Sequence, residues 1–251
     1  LDKIDNIYDK IQELLGEISG NVTILEDQID AETQVEYFNY ASNLHGKLDP
    51  EEVLKNKDNI FSKDTELEQI KRMLVQLANI ESIEAYRTLE KYHRGSPAEL
   101  KDWARLALHE SRLLLESKLL DENHVLISTG LGGKGLKLRY FTVIVAKSSS
   151  GYSSFQQKLL GSEIEFAVNS AGGDIEWIIF DRELCTAMAI IPLQTPVQKL
   201  FDQVITECNQ FGNFINDDYI ITNVRQLKNH EIRKILKQSR PHRKNPARQQ
   251  E

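Results

Sequence analysis

Apolar residues recur at steps of three and four up to about residue 120, and at steps of two over much of the remaining chain. Ile4, Ile7, Ile11, Leu14 and Ile18, widened by Tyr8 and Leu15, predict a helix from Asp2 to Ser19 that Gly20-Asn21 ends. The stripe fits a helix packed on its own domain or an inter-chain helix pair, so a homo-oligomer through this first helix stays open. A second helical stretch is expected from Thr23 to Leu44, and Pro50 suits the first turn of a short helix reaching Lys57. Beyond a polar connector at 56–64, Leu67, Ile70, Met73, Leu74 and Leu77 line one helix. Ile83, Tyr86, Leu89 and Tyr92 line the next. Ser96-Pro97-Ala98-Glu99 reads as a capping box that opens a third, carrying Leu100, Trp103, Ala104, Ala107, Leu108, Leu114 and Leu115.

After residue 121 the period changes. His124–Ser128 and Leu136–Val145 are expected as a hairpin around Gly130-Leu131-Gly132-Gly133-Lys134-Gly135. A helix over 153–170, a strand pair over 174–180 and 184–193 joined at Asp181-Arg182-Glu183, a helix from Thr195-Pro196 to Asn209, a strand over 219–224 and a basic helix over 229–238 complete the order. From Leu136 to Val224 this is βαββαβ, an order that resembles the ferredoxin-like fold. The stretch 66–120, with its Arg94-Gly95-Ser96-Pro97 turn and the small-residue face Trp103-Ala104-Arg105-Leu106-Ala107, resembles HEAT-type helical repeats. That resemblance implies a surface for binding other macromolecules. The expected class is α+β: an all-α bundle or HEAT-like hairpins over 1–120, a small ferredoxin-like domain over 121–239, and a basic tail over 240–251.

Charge alters this picture more than composition does. Residues 1–66 hold 16 acids and 6 bases, whereas 240–251 hold 1 acid and 4 bases. An acidic surface repels a phosphate backbone, so any nucleic-acid contact belongs at the C-terminal end. No apolar run reaches the roughly 18 residues of a membrane helix, so no membrane role is expected and the chain reads as cytoplasmic. Cys185 and Cys208 fall in apolar patterns that suit buried reduced thiols.

Candidate chemistry is sparse. The glycine run suggests a phosphate loop, since glycines let amides approach an anion. Here, though, it leads into a strand, and Lys134 precedes Gly rather than Ser or Thr. A flexible hairpin, or an anion contact through Lys134, Lys137 and Arg139, fits better. Asp174, Glu176, Asp181, Glu183, Asp217 and Asp218 sit at expected strand ends, where acids are usually solvated. The six histidines lack zinc spacing, so no catalytic residue, metal or cofactor is assigned. Arg225, Lys228, Arg233, Lys234 and Lys237 form a basic run that suits phosphates or an acidic surface.

The leading expectation is therefore a non-catalytic adaptor or regulatory protein whose acidic helical region binds a protein partner. An RNA- or ribosome-associated factor using the basic helix and the Lys134 hairpin is the alternative. A carboxylate/metal enzyme is the third.

Overall fold

The computed structural model describes residues 21–44, 48–121 and 124–239. The helix expected over 2–19 and the tail past 239 lie outside the described residues. The chain divides into two compact units that meet in sequence at residues 136 and 137.

The first unit opens with a strand rather than a helix. Asn21–Ile24 (β1) pairs in parallel with His124–Ile127 (β2), and Leu25 N donates to Ile127 O at 2.9 Å. The helix expected from Thr23 begins only at Ala31 and runs to Leu44 (α1), because the Asp30 carboxylate accepts the Glu32 and Thr33 amides at 2.9 and 3.1 Å. Parallel strands need a crossover, and here it consists of α1 followed by helices Pro50–Lys55 (α2), Leu67–Ala78 (α3), Ile83–Gly95 (α4) and Lys101–Leu120 (α5). Pro50 does stand at the first turn of α2, where Asp49 caps the Glu51 amide at 3.0 Å. The expected capping box at Ser96 does not form. Ser96 Oγ donates back to His93 O at 3.1 Å, residues 98–100 make a 3-10 turn, and α5 starts at Lys101.

Leu25, Ile29, Tyr37, Leu74, Leu77, Leu89, Leu100, Trp103 and Leu106 form one core beneath these helices. The Tyr37 and Tyr40 rings meet Trp103 edge-on at 5.3 and 5.5 Å. Strand β1, α1 and the α3–α5 hairpins thus close around a single centre, as a bundle does.

The second unit is the ferredoxin-like sandwich that the sequence order suggests. Its strands are Lys137–Ala146 (β4), Asp174–Asp181 (β5), Leu184–Pro192 (β6) and Ile215–Thr222 (β7), β3 being the two-residue strand Gly133–Lys134 that precedes them. Strand order is β7-β4-β6-β5, with every neighbouring pair antiparallel. Two crossover helices, Ser154–Ser170 (α6) and Val197–Gln210 (α7), pack on one face through Leu160, Ile164, Val168, Phe201, Val204 and Cys208, against Ile144, Cys185, Ala189 and Ile191. A capping box does start α6: Gln156 N donates to Ser153 Oγ at 3.3 Å, and Ser153 N donates to Gln156 Oε1 at 2.9 Å. By alternation Phe141, Val143, Leu184, Met188 and Ile190 point to the opposite face, and they too are buried. The hairpin expected between 124–128 and 136–145 does not exist as such, since β2 pairs with β1 instead.

Candidate nucleic-acid interface

The basic run settles onto this unit as a formed helix, Asn229–Ser239 (α8), packed against β7. Ile232, 0% exposed, anchors it, with Ile235 and Leu236 half-buried on the same side. Glu231 locks the helix start. It accepts Arg225 Nη1 and Nη2 at 2.9 and 2.6 Å and the Lys228 amide at 2.8 Å, which is half of a capping box closed by a bidentate arginine. The Arg225 guanidinium, followed by the Lys228 amide, holds the Glu231 carboxyl down at about 2.

Two further contacts tie α8 to the β5–β6 hairpin: Asn229 Nδ2 donates to Asp181 Oδ2 at 3.1 Å, and Arg233 Nη2 donates to Glu183 Oε1 at 3.3 Å. With Ile232 turned inward, His230, Lys234 and Lys237 fall at i, i+4 and i+7 on the outer side, all exposed. Neither Lys234 nor Lys237 makes an ion pair or side-chain hydrogen bond among the described residues. Arg225 and Arg233 spend their charge holding the helix in place, and Lys228 is exposed at its start.

The remaining expected cations lie elsewhere. Lys137 and Arg139 sit on β4 and reach acids on β5: Lys137 Nζ meets Asp174 at 2.8 Å, and Arg139 Nε and Nη2 meet Glu176 at 2.8 and 3.0 Å. The side chain of Arg139 is only 13% exposed, so its charge is largely satisfied within the sheet.

Lys134 is exposed on the glycine loop. The loop's amides, however, are already engaged. Gly135 N donates to Glu26 Oε1 at 2.8 Å, Gly133 N to Glu26 O at 3.4 Å and Gly132 N to Thr129 O at 3.0 Å. Gly132 has φ of +67°, and a Cβ there would stand 2.4 Å from Glu26 O. These glycines serve close packing of the loop on residues 26 and 27, and the chain's own carboxylate takes the place an anion would occupy.

Acids outside this surface are arranged unfavourably for a phosphate backbone. A groove of about 470 Å³ beside β5 is lined by Glu165, Asn169, Asp174, Ile175, Glu176, Trp177 and Ile178. Asp217 and Asp218 are exposed on β7. Among the described residues no group of three or more His, Cys, Asp or Glu side chains is placed to hold a metal ion. Cys185 and Cys208 are free and buried, and burial pushes both thiols up to about 12, so they are inert as nucleophiles.

Several acids of the helical unit face its own cations. Asp27 takes Arg105 at 3.5 Å and His109 at 3.2 Å, Lys71 takes Glu36 at 2.9 Å and Glu68 at 3.1 Å, and Lys57 takes Glu84 at 3.2 Å. Glu81 pairs with Lys118, and Glu90 with Arg87 and Arg94. These ion pairs take up part of the acidic surface expected from net charge.

Sequence reasoning did not single out Arg182, in the two-residue connection between β5 and β6. It is exposed and left-handed, with φ of 52°. The available signal was an Asp-Arg-Glu turn with no Gly or Asn where a two-residue hairpin favours one.

No protein-family model and no curated protein matches the chain. Among solved structures, one assigned as a transposase from Deinococcus radiodurans R1 is similar at 11% identity and a TM-score of 0.33, covering 42% of this chain and 91% of that one. A REP-associated tyrosine transposase bound to a REP hairpin is similar at 12% identity and a TM-score of 0.31, covering 38% of this chain and 61% of that one. The expectation of a non-catalytic, helical-repeat adaptor for a protein partner is corrected here, as these neighbours are described as transposases and neither as an adaptor or a HEAT-like protein. At such scores the likeness carries nothing further to this chain.

No described helix is long and apolar enough to cross a membrane.

Proposed function

We propose that this chain binds nucleic acid, meeting the phosphate backbone with the outer side of α8. One observation carries the reading: α8 is fixed by a fully buried Ile232 and a Glu231 clamp, while His230, Lys234 and Lys237 point outward with no acid bonded to either lysine among the described residues. A cationic stripe on a docked helix is pre-ordered, so contact with phosphates does not pay the ordering cost of a loose basic tail. Of the acids of the β5–β6 hairpin nearest to it, Glu183 is paired by Arg233 and Asp181 is bonded by Asn229, so neither is bonded to the outer lysines, although the chain carries a net charge of −7.

The test is fluorescence anisotropy of the full chain with a labelled mixed-sequence DNA duplex and a labelled single-stranded RNA, at 50 and 200 mM salt. Binding should strengthen as salt is withdrawn, and Lys234→Glu combined with Lys237→Glu should weaken it at least about tenfold at the lower salt. Affinity for both probes that is undetectable at 50 mM salt, or untouched by the double reversal, would remove the reading.

A further inference from the structure

The tip of the β5–β6 hairpin holds a left-handed non-glycine residue under close packing. Arg182 holds φ of 52°, a region where a side chain costs about 1–2 kcal/mol and where a two-residue hairpin connection favours glycine. Its surroundings impose this conformation. Gly151 lies so close that a Cβ there would stand 2.4 Å from Arg182 O, and Tyr152 N donates to that same oxygen at 3.3 Å. Ala146 N donates to Glu183 O at 2.8 Å. The turn is thus gripped by the segment that follows β4, and Arg182 is held outward.

Both neighbours of Arg182 are acids that could have folded back on it, yet neither does. Asp181 is occupied by Asn229 Nδ2 at 3.1 Å, and Glu183 by Arg233 Nη2 at 3.3 Å. Arg182 makes no ion pair or side-chain hydrogen bond among the described residues. Those same two contacts bring the tip against the first turns of α8, next along the helix to exposed His230 and Lys234.

We infer that Arg182 is a phosphate-contacting residue that extends the α8 stripe onto the β5–β6 hairpin, giving the nucleic acid two separate elements to rest on. This rests on the nucleic-acid reading above. A strained arginine, displayed with its flanking acids drawn aside, is the arrangement expected where a backbone position is kept for contact rather than for stability.

The experiment compares the full-length wild type with Arg182→Gly and Arg182→Lys in thermal melts and in the same anisotropy titrations. Arg182→Gly removes both the strain and the charge. It should raise the thermal midpoint by about 2–5 °C while weakening binding about five- to tenfold at 0.1 M salt. The slope of log affinity against log salt should fall by about 0.9 for the duplex or about 0.7 for the single strand. Arg182→Lys should keep most of the affinity. A wild type that binds, together with an Arg182→Gly variant that binds equally well, overturns this inference and leaves the α8 reading standing. A wild type that binds neither probe defeats both. A Gly variant that weakens binding only because it unfolds would show a lowered midpoint, which also counts against the inference, since the strain argument requires a rise.

Discussion

Two turns in this chain each present one exposed cation, Lys134 in the glycine loop and Arg182 at the β5–β6 tip, and they are built in opposite ways. The glycine loop has the composition of an anion site, yet Glu26 already accepts its Gly135 amide, and Gly132 is needed only to let the loop lie against residues 26 and 27. The β5–β6 tip has no glycine, carries backbone strain, and has its own acids bonded to α8. Glycine here marks close backbone approach. At Arg182 the left-handed position is, by the inference above, kept for its side chain.

The sharpest way to break that contrast lies within the glycine loop itself. Gly132→Ala should cost about 3 kcal/mol or more, because a left-handed residue gains a Cβ 2.4 Å from Glu26 O and 2.6 Å from Asp27 O. Gly135→Ala, with φ of +58° but open space around it, should cost only about 1 kcal/mol. Urea denaturation of the two variants measures the difference. Equal costs would mean that the loop is not held by close packing and would reopen it as a binding element.

A second test concerns how α8 is held beside the other turn. Glu231 has its carboxyl held at about 2, below an ordinary value of 4.5, first by Arg225 and then by the Lys228 amide. A carboxyl lowered in the folded state contributes in full above its unfolded value, and that contribution is lost as pH falls from about 4.5 toward about 2. The protection factors of the α8 amides, taken against the intrinsic exchange rate at each pH, should therefore fall across that window while those of the β4 and β6 amides hold. Glu231→Gln should exchange fast at neutral pH and show no such window. An α8 that stays protected at pH 3 would show that Ile232 and the contacts to the β5–β6 hairpin hold it without the Glu231 clamp.

The helical unit has a pH signature of its own, smaller in size, at His93. His93 Nε2 is buried without a partner, and burial, then Arg105, lowers its pKa from 6.5, with Lys101 and His109 adding in the same direction and Asp27 opposing. For a base lowered in the folded state, the unfolded chain takes up the proton first as pH falls. Stability should therefore be complete above about 6.5 and decline below it. Denaturation midpoints of wild type and His93→Gln between pH 7.5 and 5 should converge at the acid end. Parallel curves would mean that His93 is solvated.

These tests also mark what could be read from residues alone. Helices α3, α4 and α5 were legible because each buries a full apolar stripe, and the ferredoxin-like order was legible because β4, β6, α6 and α7 alternate cleanly. Strand β1 was not, since Asn21–Ile24 is four residues long and its partner lies a hundred positions downstream, beyond any local period. Ser96 had the right spacing for a capping box but found the His93 carbonyl instead, a choice made by the α4–α5 connection. At the candidate site the cations were legible as a run, and their division into anchors and displayed groups was not. That division depends on Glu231, Asp181 and Glu183, whose partners are fixed only in three dimensions.

The smallest expected effect is the most direct probe of the two turns. Lys134 is exposed and carries the same charge as Arg182, so if composition governed binding, Lys134→Ala should match Arg182→Gly in the anisotropy titration. Its immediate surroundings argue otherwise. Glu26 brings its negative charge to the same loop through its bond to Gly135, so a phosphate approaching Lys134 meets a carboxylate that no cationic side chain pairs with among the described residues. At Arg182 both neighbouring acids are engaged with α8. Lys134→Ala should accordingly change affinity by less than about twofold and leave the salt slope unaltered. A loss equal to that of Arg182→Gly would show that the nucleic acid spans more than the α8 surface, and that exposure matters more than the placement of neighbouring carboxylates.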